Sequence, residues 1–143
     1  MRTLDQILQL KGHDVLTASP DVTVYESLTL LAEYEVGALV VLDEGRPVGL
    51  LSERDYARKV IIKGLSSRDT LVRDIMACPV LCVDTTLTVD KALGIMTERR
   101  IRHLPVLDNA GQLTGIVSIG DLVKDIIAEQ QYTIDQLQHY IHS

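Results

Sequence analysis

The chain has 143 residues, of which 46% are hydrophobic and 24% charged, and its net charge is −6. That length suits one compact domain or two small units sharing a core, with apolar content enough for a buried interior. The negative balance excludes a general nucleic-acid role, because phosphate-tracking proteins are normally basic. Trp and Phe are absent, so the core is aliphatic, and a bound base would be gripped by Val, Ile, Leu and backbone groups.

In chain order, Thr3 and Gln6 have capping-box spacing for a first helix that carries Leu4, Ile7 and Leu8, with Gly12 as its stop. The charges within this stretch make it an amphipathic helix and not a signal peptide. No apolar run approaches the roughly 20 residues of a membrane span, so the expected compartment is the cytoplasm. Residues 15–17 read as a short extended piece, ended by the turn signal Ser19-Pro20-Asp21. Thr23 and Glu26 form a second capping box ahead of a helical stripe of Val24, Leu28, Leu31 and Ala32, which Gly37 should end. Residues 38–42 predict a buried strand, 43–46 a hairpin turn and 48–51 the returning strand. Ser52 opens a helix expected to reach about Lys63 and to stop at Gly64.

After a polar linker at 65–70 the pattern starts again. Val72, Ile75 and Met76 suggest a short helix, residues 79–83 are extended, and Thr88 starts a helix with Val89, Leu93 and Met96. Two strands at 104–107 and 113–117 enclose a turn at 108–111, and a helix follows Ser118. A last, separate helix is predicted over 133–141, capped by Thr133 with Gln136. Shifting the chain by 65 residues overlays Val15, Leu16, Thr23, Val24, Leu28, Glu33, Val41, Leu42 and Asp43 on identical residues. One inserted residue, Ala110, then brings Gly45, Gly49, Ser52 and Asp55 onto Gly111, Gly115, Ser118 and Asp121. The chain is thus a tandem repeat of a β-α-β-β-α unit too small to bury its own core, and the two should pack about a pseudo-twofold axis. The expected divisions are a helix at 1–14, repeats at 15–65 and 66–128, and a C-terminal helix at 129–143.

Both repeats carry Gly-x-x-Ser-x-x-Asp, at Gly49, Ser52 and Asp55 and at Gly115, Ser118 and Asp121. One reading is a helix N-cap with an acid at its third position, worth about 1 kcal/mol. The other is a ligand site, in which Ser meets a phosphate or ribose oxygen at the helix N-terminus and the two carboxylate oxygens accept a ribose cis-diol. The remaining candidates are poor. Gly115 to Gly120 departs by one residue from a nucleophile elbow and lacks His/Asp support. Cys78 and Cys82 suit reduced thiols better than zinc, and His139 with His142 lacks a third ligand. No metal site, cofactor or catalytic constellation is expected.

With its paired repeats, the segment Arg-His-Leu-Pro-Val-Leu-Asp at 102–108 and Gly-Ile-Val-Ser-Ile-Gly-Asp at 115–121, the sequence resembles a tandem pair of CBS domains, a Bateman module. Gly-Ala-Leu-Val-Val-Leu-Asp at 37–43 and Gly-Leu-Leu-Ser-Glu-Arg-Asp at 49–55 carry the same resemblance in the first repeat. It implies an α+β fold and a stand-alone regulatory module for adenosine-containing ligands such as AMP, ADP, ATP, NAD(H) or S-adenosylmethionine. One site would use Ser118 and Asp121 with Thr17, Ser19, Val36, Gly37 and Ala38, and Arg102 on phosphate. Its mirror image would use Ser52 and Asp55 with Cys82, Asp84, Ile101 and Leu104, and His103 on phosphate. Arg54, Arg58, Lys59 and Lys63 supplement the cations there, or form a solvated helix face. Asp84 would either weaken phosphate binding at the mirror site or favour an adenosine with a less charged tail there, and the Asp121 site is the better candidate. A homodimer through helices near 23–34, 90–99 and 133–141 is expected, with a separate regulated protein as partner and no nucleic acid or membrane. The rival readings are a ligand-independent interaction scaffold, in which both Ser-x-x-Asp motifs are only caps, and a nucleotide hydrolase.

Overall fold

The structure, a computed structural model, describes residues 1–142. Its first helix, α1 (Leu4–Lys11), begins at the expected capping box: Thr3 Oγ1 accepts the Gln6 N–H and the Gln6 side chain accepts the Thr3 N–H. A short strand β1 (Thr17–Ala18) leads to α2 (Val24–Glu33), then to a hairpin of β2 (Ala38–Asp43) and β3 (Arg46–Ser52). After β3 come α3 (Glu53–Tyr56) and a π-helical turn over Ala57–Ile61. The second half repeats the order with α4 (Val72–Ile75), β4 (Val83–Asp84), α5 (Val89–Arg99), β5 (His103–Leu107), β6 (Leu113–Ser118) and α6 (Ile119–His142).

Each half forms a three-stranded sheet, in the orders β1-β2-β3 and β4-β5-β6. The register repeats along with the sequence. Ala18 pairs in parallel with Val41 as Val83 does with Val106, and each hairpin shifts register at the same place, after Val41 and after Val106. The first hairpin turns through Glu44 (φ 51°) and Gly45 (φ 78°), the left-handed pair that a two-residue turn needs. In the second, Ala110 lengthens the loop, and Asp108 Oδ1 accepts the Ala110 and Gln112 N–H groups to close it. The insertion stays in the turn and leaves the strands untouched.

The cores are assembled across the sequence. One consists of Val24, Leu31, Leu39, Val41, Leu51 and Val60 together with Val72 and Ile75 of α4. The other takes Leu4, Ile7 and Leu8 of α1 with Val89, Ala92, Met96, Leu104, Val106, Val117 and Leu122. Each half thus lends its leading helix to the sheet of the other. Backbone hydrogen bonds fix this exchange in matching pairs: Val24 N–H to Thr70 O (2.8 Å) and Val72 N–H to Val22 O (2.9 Å), against Val89 N–H to Arg2 O (3.0 Å) and Leu4 N–H to Leu87 O (2.8 Å). The cut expected between 65 and 66 therefore divides the sequence but not the cores.

Four local expectations are corrected. The left-handed residue after α2 is Glu35 (φ 54°) and not Gly37, and the reciprocal half of the Thr23–Glu26 box is absent, Thr23 Oγ1 alone accepting the Glu26 N–H. The helix after Ser52 gives way to the π-helical turn at Ala57, although Gly64 (φ 70°) does end the segment. Finally, the separate helix capped by Thr133 does not exist. The region is the continuation of α6, and the Thr133 hydroxyl donates back to Glu129 O (3.1 Å) inside the helix. Among the described residues no helix is long and apolar enough to cross a membrane.

Two glycines let the exchanged helices approach the strands. A Cβ on Gly115 would stand 2.6 Å from Leu8 Cδ2, and one on Gly49 would stand 2.5 Å from Met76 Sδ. Gly115→Ala is expected to cost about 1–3 kcal/mol by overpacking and Leu8→Ala about 2–5 kcal/mol by cavity formation. The double variant should lose less than the sum, because each change makes room for the other. Urea denaturation measures this, and strictly additive losses would show that the two residues do not share a contact.

Candidate functional site

The N-terminus of α6 is built by the second Gly-x-x-Ser-x-x-Asp motif. Ser118 Oγ accepts the Asp121 N–H (3.1 Å), and Asp121 Oδ2 accepts the Ser118 N–H (2.8 Å). The first helical N–H, that of Ile119, is bound by Arg102 O (3.0 Å), the counterpart of the Glu53 N–H bound by Gly37 O (3.1 Å) in the first repeat. Above this cap lies a cleft of about 330 Å³, lined by Lys11, Asp14, Leu16, Glu35, Val36, Gly37, Ala38, His103, Ile116, Ser118 and Asp121. That volume is in the range of small-ligand sites. One wall comes from β2 and the turn before it, and the opposite wall from β5, β6 and α6. The two approach closely at Gly37, where a Cβ would stand 3.8 Å from His103 Nε2.

Lys11 dominates the electrostatics. Its ammonium donates to Asp121 Oδ2 (2.7 Å) and to Ile116 O (2.8 Å). Partial burial pushes the Asp121 carboxyl up, but the Lys11 ammonium and the Ser118 N–H and hydroxyl together outweigh it and hold the group below the usual carboxylate range. Burial depresses His103 in its turn. Asp121 opposes that effect, while Lys11 and Arg102 add to it, so the imidazole is held toward its neutral form. The cleft therefore presents an ionised Asp121 already engaged by a cation, beside an imidazole that resists protonation.

Of the residues assigned to this site from the sequence, Val36, Gly37, Ala38, Ser118 and Asp121 line the cleft. Thr17, Ser19 and Arg102 do not. Thr17 lies in the β1–β2 ladder, Ser19 Oγ accepts the Asp21 N–H (3.2 Å), and Arg102 is exposed at the entrance to β5. Lys11, Asp14, Leu16, Glu35 and Ile116 were missed. Lys11 arrives only because α1 crosses to the second half, and no local pattern signals that.

The mirrored position differs. Asp55 Oδ2 accepts the Ser52 N–H and hydroxyl (both 3.0 Å), and its other oxygen lies 3.4 Å from Lys59, whose ammonium also donates to Ile75 O (2.9 Å). The nearby cavity measures only about 190 Å³ and is lined by Leu50, Ala77, Pro79, Val80, Leu81, Arg99, Ile101 and His103. Ile101 and His103 belong to it as expected, and His103 stands between the two cavities. Ser52, Arg54, Asp55, Cys82 and Asp84 do not line it. Leu104 is fully buried in the second core. Asp84 is turned into its own loop, and hydrogen bonds from the Thr86 hydroxyl and N–H hold its carboxyl below the usual range. Burial raises the Cys82 thiol, and both cysteines are free.

The architecture is a tandem α+β module whose halves exchange a helix and close a cleft over the start of α6. The model for the CBS domain matches residues 9–62 and 72–128, and the chain belongs to the CBS-domain family. It is 36% identical to the mitochondrial CBS domain-containing protein CBSX3 of Arabidopsis thaliana, over 97% of this chain and 71% of that one. A solved protein with CBS domains from Burkholderia ambifaria MC40-6 is 44% identical, with a TM-score of 0.84 over 90% of this chain and 96% of the other. The CBS-domain pair of MJ0100, solved in complex with 5′-methylthioadenosine and S-adenosyl-L-methionine, shares the fold at 22% identity, with a TM-score of 0.79 over 90% of this chain and 98% of that one.

The depressed His103 pKa has a consequence for stability. In the unfolded chain a histidine titrates near 6.5, roughly its intrinsic value. Below that pH the unfolded chain takes up a proton that folded His103 declines, so stability falls as pH falls from about 6.5 through the lower folded value. Asp121 acts with the same sign, but only below about 3.9. Thermal denaturation between pH 7.5 and 5.5 should show a falling melting temperature for the parent and a flatter profile for His103→Gln. An unchanged slope in the variant would assign the effect to other groups.

Proposed function

We propose that the protein is a non-enzymatic sensor of an adenosine-containing ligand, bound in the Asp121 cleft and read out by a partner protein. The observation that supports this most directly is the placement of Ser118 and Asp121 at a helix N-terminus, facing a wall supplied by the other repeat at Val36, Gly37 and Ala38. A carboxylate with two acceptor oxygens suits the ribose cis-diol, and the aliphatic and backbone surface opposite suits a flat base. Ligand hydroxyls entering the cleft would compete with Lys11 for Asp121 and free its ammonium for an anionic tail. The carboxylates of Asp14 and Glu35 on the same cleft weigh against a polyphosphate. They favour a short or weakly charged tail, AMP or S-adenosylmethionine before ATP.

A ligand that touches both walls alters how the halves sit on each other only in so far as it prefers one arrangement, and that difference in affinity is what a partner would read. The scaffold reading has one observation in its favour. Asp121 already serves as a helix cap and ion-pair partner, so a structural role alone accounts for its conservation of geometry in both repeats. Under either reading, incubation with ATP or NAD yields no product.

Thermal shift followed by calorimetry on the full chain, with AMP, ADP, ATP, NADH, S-adenosylmethionine and guanosine controls, separates the two. At a ligand concentration near 100 times Kd, binding should stabilise the fold by about 2.7 kcal/mol, a shift of several degrees. Asp121→Ala should abolish that response while losing no more than about 2 kcal/mol of stability with its cap, and Asp55→Ala should retain it. Absence of any shift with the adenosine compounds would leave the scaffold.

A further inference from the structure

The Lys11–Asp121 pair that lines the cleft also lines a separate cavity of about 210 Å³, between α1 and the first turns of α6. The rest of its lining is Arg2 just ahead of α1, Ile7 and Leu10 of α1, and Lys124, Asp125 and Ala128 of α6. Ile7 is 4% exposed and Leu10 70%, so aliphatic surface reaches from the second core out to solvent. Not all the charges here are matched. Asp121 is held by Lys11 (2.7 Å) and Asp125 Oδ1 by Arg2 (3.3 Å), but Lys124 forms no ion pair among the described residues. Asp125 is 7% exposed, and its Oδ2 is buried with no hydrogen-bond partner. A carboxylate oxygen in that position has lost its hydration without a compensating bond, which is the strongest reason for a donor to enter beside it.

We propose that this cavity binds a free α-amino acid with an aliphatic or thioether side chain. Its ammonium donates to Asp125 Oδ2, its carboxylate meets the Lys124 ammonium, and its side chain lies against Ile7, Leu10 and Ala128. The unmatched groups select this class. A simple anion would bring a second negative charge toward Asp125 and leave Oδ2 without a donor. A metal ion is disfavoured, because three cationic side chains, Arg2, Lys11 and Lys124, face two carboxylates that are each already paired. A neutral apolar molecule would satisfy neither Lys124 nor Asp125. An α-amino acid carries its two charges on one carbon, which suits a donor and an acceptor on neighbouring residues of one helix. Size agrees. A dry cavity of about 150 Å³ takes a benzene-sized molecule, so this one has room for leucine or methionine and not for a nucleoside. Only the Lys11–Asp121 pair is common to the two compartments, and the inference stands whether or not an adenosine ligand occupies the cleft.

Calorimetry and amide NMR on the full chain, with L-leucine and L-methionine as probes, test this. Saturable binding with a Kd of about 1 mM or tighter is expected, with amide shifts centred on Lys124, Asp125 and Ala128. Isocaproate, which lacks the ammonium, and isoamylamine, which lacks the carboxylate, should each bind at least about tenfold more weakly. Lys124→Gln should weaken leucine binding about tenfold, and Ala128→Leu, which fills the cavity, should abolish it. Both positions are exposed, so these variants should keep the parent's melting transition. Asp125→Asn also loses its pairing with Arg2, so its melting is recorded beside its binding, and the folded variant should bind no amino acid. No saturable binding of either amino acid to the parent would overturn the proposal, and so would binding that Ala128→Leu leaves unchanged. Shifts confined to residues 36–38 would overturn it in favour of the cleft. Equal affinity for leucine and isocaproate would overturn the zwitterion in favour of a plain carboxylate.

Discussion

The structure depends on the reciprocal crossing of two short helices. Neither sheet has enough helix in its own half to cover its apolar face, and each is completed by the leading helix of the other half: α4 on the first core and α1 on the second. The crossing is tied by backbone hydrogen bonds that match pair for pair, down to Asp5 N–H on Thr85 O and Arg73 N–H on Pro20 O, both 3.0 Å. Such bonds lie beside buried residues, where an unmet backbone group is expensive, so they specify the arrangement as well as strengthen it. Two units that would each be marginal alone thereby become one cooperative body. The cleft between them is a product of that fusion.

The same crossing breaks the symmetry of the two Ser-x-x-Asp motifs. Both form the same capping box, and both carboxylates meet a lysine. Lys59 reaches Asp55 from one turn along the same segment, as an ordinary pair four residues apart. Lys11 reaches Asp121 from a helix 110 residues away in sequence. At the position in the second half that corresponds to Lys11 the chain has Pro79, which brings no cation, and the cavity there is smaller and mostly aliphatic. Equivalent motifs have acquired unequal surroundings: Ser118 and Asp121 line the larger cleft together with Lys11, whereas the second cavity is lined by Arg99 but not by Ser52 or Asp55.

One helix runs from the cleft to the end of the described chain. α6 starts at the Ser118 cap, buries Leu122 and Asp125 against the second core, and continues without a break to His142, about 36 Å in all. Arg2, just ahead of α1, meets Asp125 in the second turn (3.3 Å) and so ties the start of α1 to the same helix that Lys11 grips at its first turn. The element that carries Asp121 is therefore anchored at Lys11 and at Arg2 just before the exchanged helix, and its far end, exposed from 130 to 142, extends clear of the fold.

Much of this was legible in the order of residues. Capping residues, the left-handed turn at Glu44 and Gly45, alternating apolar runs and the 65-residue overlay act over a few neighbours, so they placed most of the helices, the paired strands, the twin hairpins and the two Ser-x-x-Asp caps. Where local signals misled, a competing local bond was the cause: Glu35 took the left-handed turn in place of Gly37, and Thr133 bonded back to Glu129 instead of capping a new helix. What only the tertiary structure decided is which core each amphipathic helix joins. The stripe of Leu4, Ile7 and Leu8 fits either sheet by pattern alone. The choice of the second sheet brought Lys11, Asp14 and Leu16 to the cleft and so settled which of two similar motifs faces a roomy, charged site. Apolar burial is non-directional, and its partner is chosen by the geometry of the whole chain.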